Sequence, residues 1–289
     1  MAAASVKPLI VIVGPTASGK SGIAVELAEQ YDGEIICADS RTIYKGMDIG
    51  TAKPSRADQA KVPHWGLDLV TPGEPFSAAD FKAYAVQKIA EIRARGHVPF
   101  LVGGTGLYVD SIVFDYEFGP APDPEFRAKL ELMTLDDLYN YCIQNNISLP
   151  ENDQNKRYVM RAIEQKGISG KRLDTPIENT IIVGITTDRE QLRARIQKRS
   201  EQLFDDGVVQ EAKTLGDTYG WENEAMTGNI YRLSHAYLDK LITAGELKFR
   251  NETADWQLAK RQLTWLKRNQ FITWLPLYEV KNYIAQLLA

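Results

Sequence analysis

Cysteine is scarce in this chain: its 289 residues include two, Cys37 and Cys142. Thiols so few and so far apart support neither a disulfide framework nor a thiolate metal site, and both are read as reduced and structural. Histidine is nearly as rare. His64, His97 and His235 are scattered with no pair at helical spacing, so a zinc site is not expected. No stretch approaches the roughly 20 apolar residues of a membrane span, and the opening MAAASVKP lacks the apolar core of a signal peptide. A cytoplasmic protein with no membrane contact is the expectation. Nor is there an excess of positive charge: the formal net charge is −4, so any affinity for nucleic acid must rest on local basic clusters. What is present, 44% apolar and 25% charged residues, is the composition of an ordinary globular protein, one large or two modest domains in length.

Residues Gly14 to Ser21 read GPTASGKS and stand between the apolar run Leu9 to Val13 and a helical pattern beginning near Lys20. The spacing G-x-x-x-x-G-K-S after a strand and before a helix is that of a phosphate-binding P-loop. Its glycines let the backbone curl until several N–H groups point at phosphate oxygens, and the helix adds its positive end. Gly14, Pro15, Thr16, Ala17, Ser18 and Gly19 form the candidate cradle. Lys20 would reach the terminal phosphates, and the Ser21 hydroxyl would hold Mg²⁺. A glycine turn between strand and helix is the plainer reading.

Further short apolar runs occur at Ile35 to Cys37, Val98 to Val102, Ile181 to Ile185 and Phe271 to Leu275. They lack strict alternation and are separated by helical patterns, so they read as parallel strands buried on both faces of an α/β layer fold, a P-loop NTPase-like core. Helices are expected near Lys20 to Gln30, Ser77 to Arg95, Asp188 to Phe204, Val208 to Leu215 and Ala254 to Asn269, with Leu192, Ile196 and Leu203 on one side of the third. Between the third and fourth runs, Glu117 to Asn179 opens with the proline-rich FGPAPDPEF and offers helix-like segments at Phe126 to Leu132 and Lys156 to Gln165 but no strand. Residues 117–179 are therefore expected to be a helical insertion in a discontinuous core of residues 1–116 and 180–289.

Three more segments carry chemistry. Asp39 ends the second apolar run, where α/β sheets place ligand groups; it can be a Mg²⁺ partner, a general base or a helix N-cap. PFLVGGTGLYVD ends the third run, where Gly103, Gly104 and Gly106 would permit close backbone approach to a ligand and Thr105 offers a hydroxyl, although helix entry also explains such glycines. In QLAKRQLTWLKR, Lys260, Arg261, Lys267 and Arg268 interleave with Trp265. That suits an RNA backbone and unstacked bases, or else a solvated basic face with Trp265 in the core.

GPTASGK, ADSRTIYKGMDIGTAKP, FSAADF, LVGGTGLYVD and LAKRQLTWLK, in this order and spacing, closely resemble the tRNA dimethylallyltransferases, also called tRNA isopentenyltransferases. Weaker echoes, KRYVMRAIE and RIQKRSEQLFDDGVVQEAKTL, extend the likeness over nearly the whole chain. The resemblance implies transfer of a dimethylallyl group from its diphosphate to N6 of adenosine 37 in tRNAs that read codons beginning with U. The P-loop and Mg²⁺ would then stabilise departing pyrophosphate. It further implies that Asp39 orients the N6 amine and takes its proton, that Thr105 contacts the diphosphate side, and that the adenine leaves its stack to reach them. To tRNA contact it assigns Asp39, Ser40, Arg41, Thr42 and Thr105, Arg127, Arg157 and Arg161 of the insertion, and Lys260, Arg261, Gln262, Thr264, Trp265 and Lys267. Arg157 and Arg161, four apart, would share a helix face as a phosphate rail. A monomer is expected.

The chain departs from the family pattern in places. Thr227 and the pair Ile230-Tyr231 stand where the family usually has Arg and Gly-Tyr, Asp255-Trp256 replace Thr-Arg, and the insertion is shortened around Leu135 to Leu149. Ending at Ala289 without the zinc-finger tail of eukaryotic relatives, it looks bacterial in type. Two other functions fit a P-loop on an α/β core: a small-molecule or nucleoside kinase, with Asp39 as base for a hydroxyl acceptor, and a non-catalytic RNA-binding module.

Overall fold

The computed structural model describes residues 6–166 and 170–288; the opening Met1–Ser5, part of the stretch read for a signal peptide, lies outside them. The chain divides into two compact units, Met1–Val113 with Pro176–Ala289, and Phe114–Thr175. These bounds fall a few residues before those expected at 117 and 179.

In chain order the larger unit begins with β1 (Leu9–Val13), α1 (Lys20–Gln30), β2 (Gly33–Ala38), α2 (Arg56–Lys61), β3 (His64–Trp65), α3 (Ala78–Ala94), β4 (Val98–Gly103) and α4 (Gly106–Val113). The smaller unit holds α5 (Pro124–Leu132), α6 (Leu135–Gln144) and α7 (Lys156–Glu164). The larger unit resumes with β5 (Thr180–Thr186), α8 (Arg189–Asp205), α9 (Val208–Tyr219), α10 (Asn229–Leu238), α11 (Ala244–Leu266), β6 (Thr273–Pro276) and α12 (Val280–Leu288).

Every residue of β1, β2 and β4 is buried, as two-sided coverage requires, and the described strands form one parallel sheet in the order β3-β2-β4-β1-β5-β6. The chain leaves β1 towards β2 on one side and later crosses from β4 to β5 on the other, so β1 stands where the strand order reverses, the place such sheets reserve for ligands. Register sharpens this. Val13 and Ala38 both pair with Gly103, so Gly14, Asp39 and Gly104 leave the sheet at one level. A Cβ on Gly103 would lie 2.0 Å from the Ala38 carbonyl oxygen, so only glycine fits there.

Beneath this edge, α1 and α12 cover one face of the sheet through Ile23, Leu27, Val280 and Ile284. A second apolar cluster packs Ile43, Tyr44 and Met47 against Val208, Ala212 and Leu215 of α9 and Tyr231 of α10. Leu192, Ile196 and Leu203 of α8 are buried, on the side their spacing indicates. α11 differs from its sequence expectation by starting at Ala244 rather than Ala254. Thr243 and Glu246 form a capping box there, and such a reciprocal cap fixes a helix start whatever the later apolar spacing. The last strand begins at Thr273 rather than Phe271, and the two-residue β3 was too short for periodicity to reveal. In the smaller unit, Leu130, Leu138, Cys142, Val159, Met160 and Ile163 form a separate core. Its α6, absent from the sequence reading, starts at a Thr134–Asp137 capping box.

Candidate active site

The P-loop emerges from β1 with Ala17 at φ 61° and Gly19 at φ 93°, two left-handed residues that curl the chain before α1. Gly14 is needed because a Cβ would lie 2.8 Å from the Ser18 Oγ. The N-terminus of α1 has no side-chain cap, so its first N–H groups are left for an anion. Lys20 donates only a long bond, 3.3 Å, to the Pro15 carbonyl. Burial lowers its pKa to about 8 against the opposing pull of Asp39, so the ammonium is short of negative charge.

Asp39 and Thr105 are brought to the same opening. Asp39 Oδ1 accepts the Arg41 N–H at 2.9 Å, which fixes the carboxylate by capping a turn rather than a helix. The Thr105 N–H donates to the Ala38 carbonyl at 3.3 Å, and its Oγ1 accepts the Ser40 N–H at 3.0 Å, tying the ends of β4 and β2 together. Thr42 donates its hydroxyl to the Asp39 carbonyl at 3.3 Å. A cavity of about 330 Å³ is lined by Thr16, Lys20 and Ser21 on the P-loop side, and by Asp39, Ser40, Arg41, Thr42 and Thr105 on the other.

Several residues that line the cavity or brace its walls had escaped the sequence reading. Arg199 of α8 donates through Nη1 to the Thr16 hydroxyl, and Arg195, one turn before it, donates to the Ser18 carbonyl at 2.9 Å. The four-residue spacing of these arginines in RIQKRS was the available signal. Glu211 of α9 accepts the N–H groups of Asp48, Ile49 and Gly50 at 2.9, 2.7 and 2.9 Å and the Tyr231 hydroxyl at 2.8 Å. That one carboxylate fixes the Asp48–Lys53 loop, whose Gly50, Thr51 and Ala52 line the cavity.

Other expected site residues have different surroundings. Gln262 accepts the Thr16 N–H through Oε1 at 2.8 Å, so it braces the P-loop. Trp265 is half-buried, donates to Asp110 at 2.7 Å and lies where a Cβ on Gly106 would be 2.0 Å from its ring. Gly106 and Gly104 thus admit α11 side chains, Trp265 and Gln262, rather than opening the backbone to a ligand. Trp265 is a strut between α11 and α4. Arg41 donates to the carbonyls of Glu224 and Ala225 at 2.9 and 3.5 Å and to Thr227 Oγ1 at 3.3 Å. Lys260, Arg261, Thr264 and Lys267 are exposed along α11, and Arg261 also reaches the cavity. In the smaller unit, Arg127 forms a two-pronged pair with Glu164 at 2.7 and 2.8 Å, and Arg161 pairs with the same carboxylate at 3.2 Å. Arg161 also donates to the Pro120 carbonyl at 3.0 Å. Of the expected rail, Arg157 is exposed, whereas Arg127 and Arg161 pair with Glu164, whose side chain is 3% exposed.

Many known proteins match this chain. The model of the family described as IPP transferase matches residues 42–269. A tRNA dimethylallyltransferase of Bacillus licheniformis is 38% identical over 291 residues, covering 93% of this chain and 91% of the relative. One from Anoxybacillus flavithermus is 35% identical, covering 93% and 90%. The crystal structure of the full-length tRNA isopentenylpyrophosphate transferase of Bacillus halodurans superimposes with a TM-score of 0.75 at 34% identity, covering 97% of this chain and 96% of that one. With most of its length matched by the family and its P-loop, Asp39 and Thr105 converging on one cavity, the chain belongs to the IPP transferase family of tRNA-modifying prenyltransferases.

Proposed function

We propose that the protein transfers a dimethylallyl group from dimethylallyl diphosphate to N6 of adenosine 37 in tRNAs that read codons beginning with U. The observation that carries this reading is the shared register of Val13, Ala38 and Gly103, which delivers a phosphate cradle and a carboxylate to one opening. Lys20 and the uncapped start of α1 suit the diphosphate. As the allylic carbon parts from the leaving oxygen, these groups offset the charge that gathers on it. Asp39 keeps one oxygen on the Arg41 N–H and has the other to receive the N6 proton, so its orientation is fixed before the acceptor arrives. Thr105, anchored to Ser40, can still turn its O–H towards the diphosphate.

Mg²⁺ fits here as an ion carried by the diphosphate. Among the described residues no group of three His, Cys, Asp or Glu could hold a metal, while the Ser21 hydroxyl lines the cavity and supplies one oxygen. Bound there, the ion would neutralise leaving-group charge. The adenine must be extruded from the anticodon loop to enter the cavity. The exposed Lys260, Arg261, Thr264 and Lys267, with Arg157, suit the tRNA backbone. No described helix is long and apolar enough to cross a membrane, and the protein is proposed to act as a cytoplasmic monomer.

The test is incubation with Mg²⁺, dimethylallyl diphosphate and an anticodon stem-loop with adenosines at positions 36, 37 and 38, followed by mass spectrometry. Addition of the prenyl group at adenosine 37 is the expected result. Phosphate transfer in a parallel reaction with ATP, without prenylation, would favour a kinase instead.

A further inference from the structure

One buried acid has no part in the chemistry above. Asp255 of α11 is 9% exposed and lines the cavity, yet its carboxylate makes no hydrogen bond among the described residues. One turn earlier Asn251, 1% exposed, donates to Ser200 Oγ at 3.1 Å and leaves its own Oδ1 unpartnered. Arg199 lines the same cavity with an unpartnered Nε, its Nη1 already spent on Thr16 of the P-loop. A wall that holds unsatisfied polar atoms suits a polar ligand, because leaving such atoms buried and unpaired is costly.

The nature of Asp255 sets a problem for that ligand. An ionised carboxylate beside a bound diphosphate opposes it, whereas the un-ionised acid carries an O–H that can donate to a phosphate oxygen. We propose that Asp255 is a donor-binding residue that works un-ionised, its carboxylic O–H donating to the diphosphate, so that donor binding is lost as this acid ionises. The proposal rests on the P-loop holding a diphosphate.

The surroundings favour the neutral acid. Burial raises the pKa of Asp255, and Arg199 pulls the other way. Around the cavity stand Arg199 of α8, Lys20 of the P-loop, Asp39 and Arg41 beyond β2, His64 of β3, Tyr231 of α10 and Arg261 of α11 itself. Of these, Arg199 is the one that acts on Asp255. An arriving diphosphate engages Arg199, weakens its pull and adds negative charge of its own. Both effects draw a proton from solvent onto Asp255.

Calorimetric titration of inorganic pyrophosphate with Mg²⁺ tests this between about pH 5 and about pH 9, in buffers of different ionisation enthalpy. The unaltered protein is compared with Asp255→Thr and Asp255→Asn, which both donate a hydrogen bond at every pH. Titration of the ligand itself is common to all three and cancels in the comparison. Above the pKa of the acid, the unaltered protein should lose about tenfold more affinity per pH unit than either variant, and should take up more protons on binding. At low pH all three should bind alike. Equal pH slopes and equal proton uptake would overturn the proposal, as would weaker binding by both variants at every pH, which makes the ionised carboxylate the binding form. If none of the three binds and Lys20→Ala is indistinguishable from them, the diphosphate reading itself falls and takes this proposal with it.

Discussion

Lys20 carries an ammonium group that its surroundings disfavour, and this makes it a receptor for negative charge. Its pKa, brought down to about 8 by burial, means that in the free protein its charge is lost as pH rises through that value. Lys20→Ala should reduce prenyl transfer by at least about a hundredfold, the scale of one lost electrostatic stabiliser; near-normal kcat would mean that the loop does not bind the donor. Asp39→Asn keeps size and the Arg41 contact but cannot take a proton at neutral pH. The loss should fall on kcat, by about 10² or more, with donor affinity nearly unchanged. A collapse of donor affinity would instead make Asp39 part of the metal's surroundings. Outside the cavity lining, Glu34 is 2% exposed and receives Trp65 at 2.7 Å, Arg95 at 2.9 and 2.8 Å and His97 at 2.7 Å. Burial works to raise its pKa, but the bonds from Arg95, Trp65 and His97 prevail and hold it at about 2, below its ordinary 4.5. A depressed folded-state pKa contributes stability above the unfolded value and loses it as pH falls from about 4.5 through about 2. Glu34→Gln should therefore cost on the order of 3 kcal/mol at neutral pH, and denaturant melts should show the difference shrinking at acid pH.

Among the elements, α11 has the most varied duties: Asp255 and Gln262 face the cavity, Trp265 braces α4, and Lys260 and Lys267 face solvent. An amphipathic helix of this length can brace the P-loop on one side and meet a polyanion on the other. The insertion makes a contrasting case, because charge on a helix serves RNA only if nothing in the protein has claimed it. Arg157→Gln should flatten the dependence of log K for tRNA on log salt by up to about one unit, as for one phosphate contact. Arg127→Gln with Arg161→Gln should mainly lower thermal stability, since Glu164 would be left buried without its partners. A salt slope that falls by two units in that double variant would return both arginines to the RNA contact.

For the molecule as a whole, a net charge of −4 makes tRNA affinity a matter of where the positive charges stand. Folding and ligand binding are linked in the same way. A ligand that binds only the folded state at about 100 times its dissociation constant adds about 2.7 kcal/mol. Dimethylallyl diphosphate with Mg²⁺ should therefore raise Tm by several degrees, and Lys20→Ala should abolish the rise. An equal rise in that variant would place the ligand away from the P-loop.

By itself the sequence determined whatever is written contiguously: the curl from Gly14 to Ser21, the doubly buried runs that become β1, β2 and β4, and the position of Asp39 at a strand end. These follow from local backbone preferences and from burial on both faces, which neighbouring residues encode together. Tertiary structure alone decided which distant side chains close the cavity. Thr16 meets Arg199 and Gln262 from remote helices, and Glu211 gathers three backbone N–H groups from a loop far behind it in the chain. The glycines of GGTG show the difference most directly. Their freedom from side chains was plain in the sequence, but whether the space admits a ligand or a neighbouring helix depends on what packs there, and at Gly106 it is Trp265. The insertion arginines obey the same rule, since a charge's use is set by the nearest opposite charge, and Glu164 lies near Arg127 only once α5 and α7 have packed.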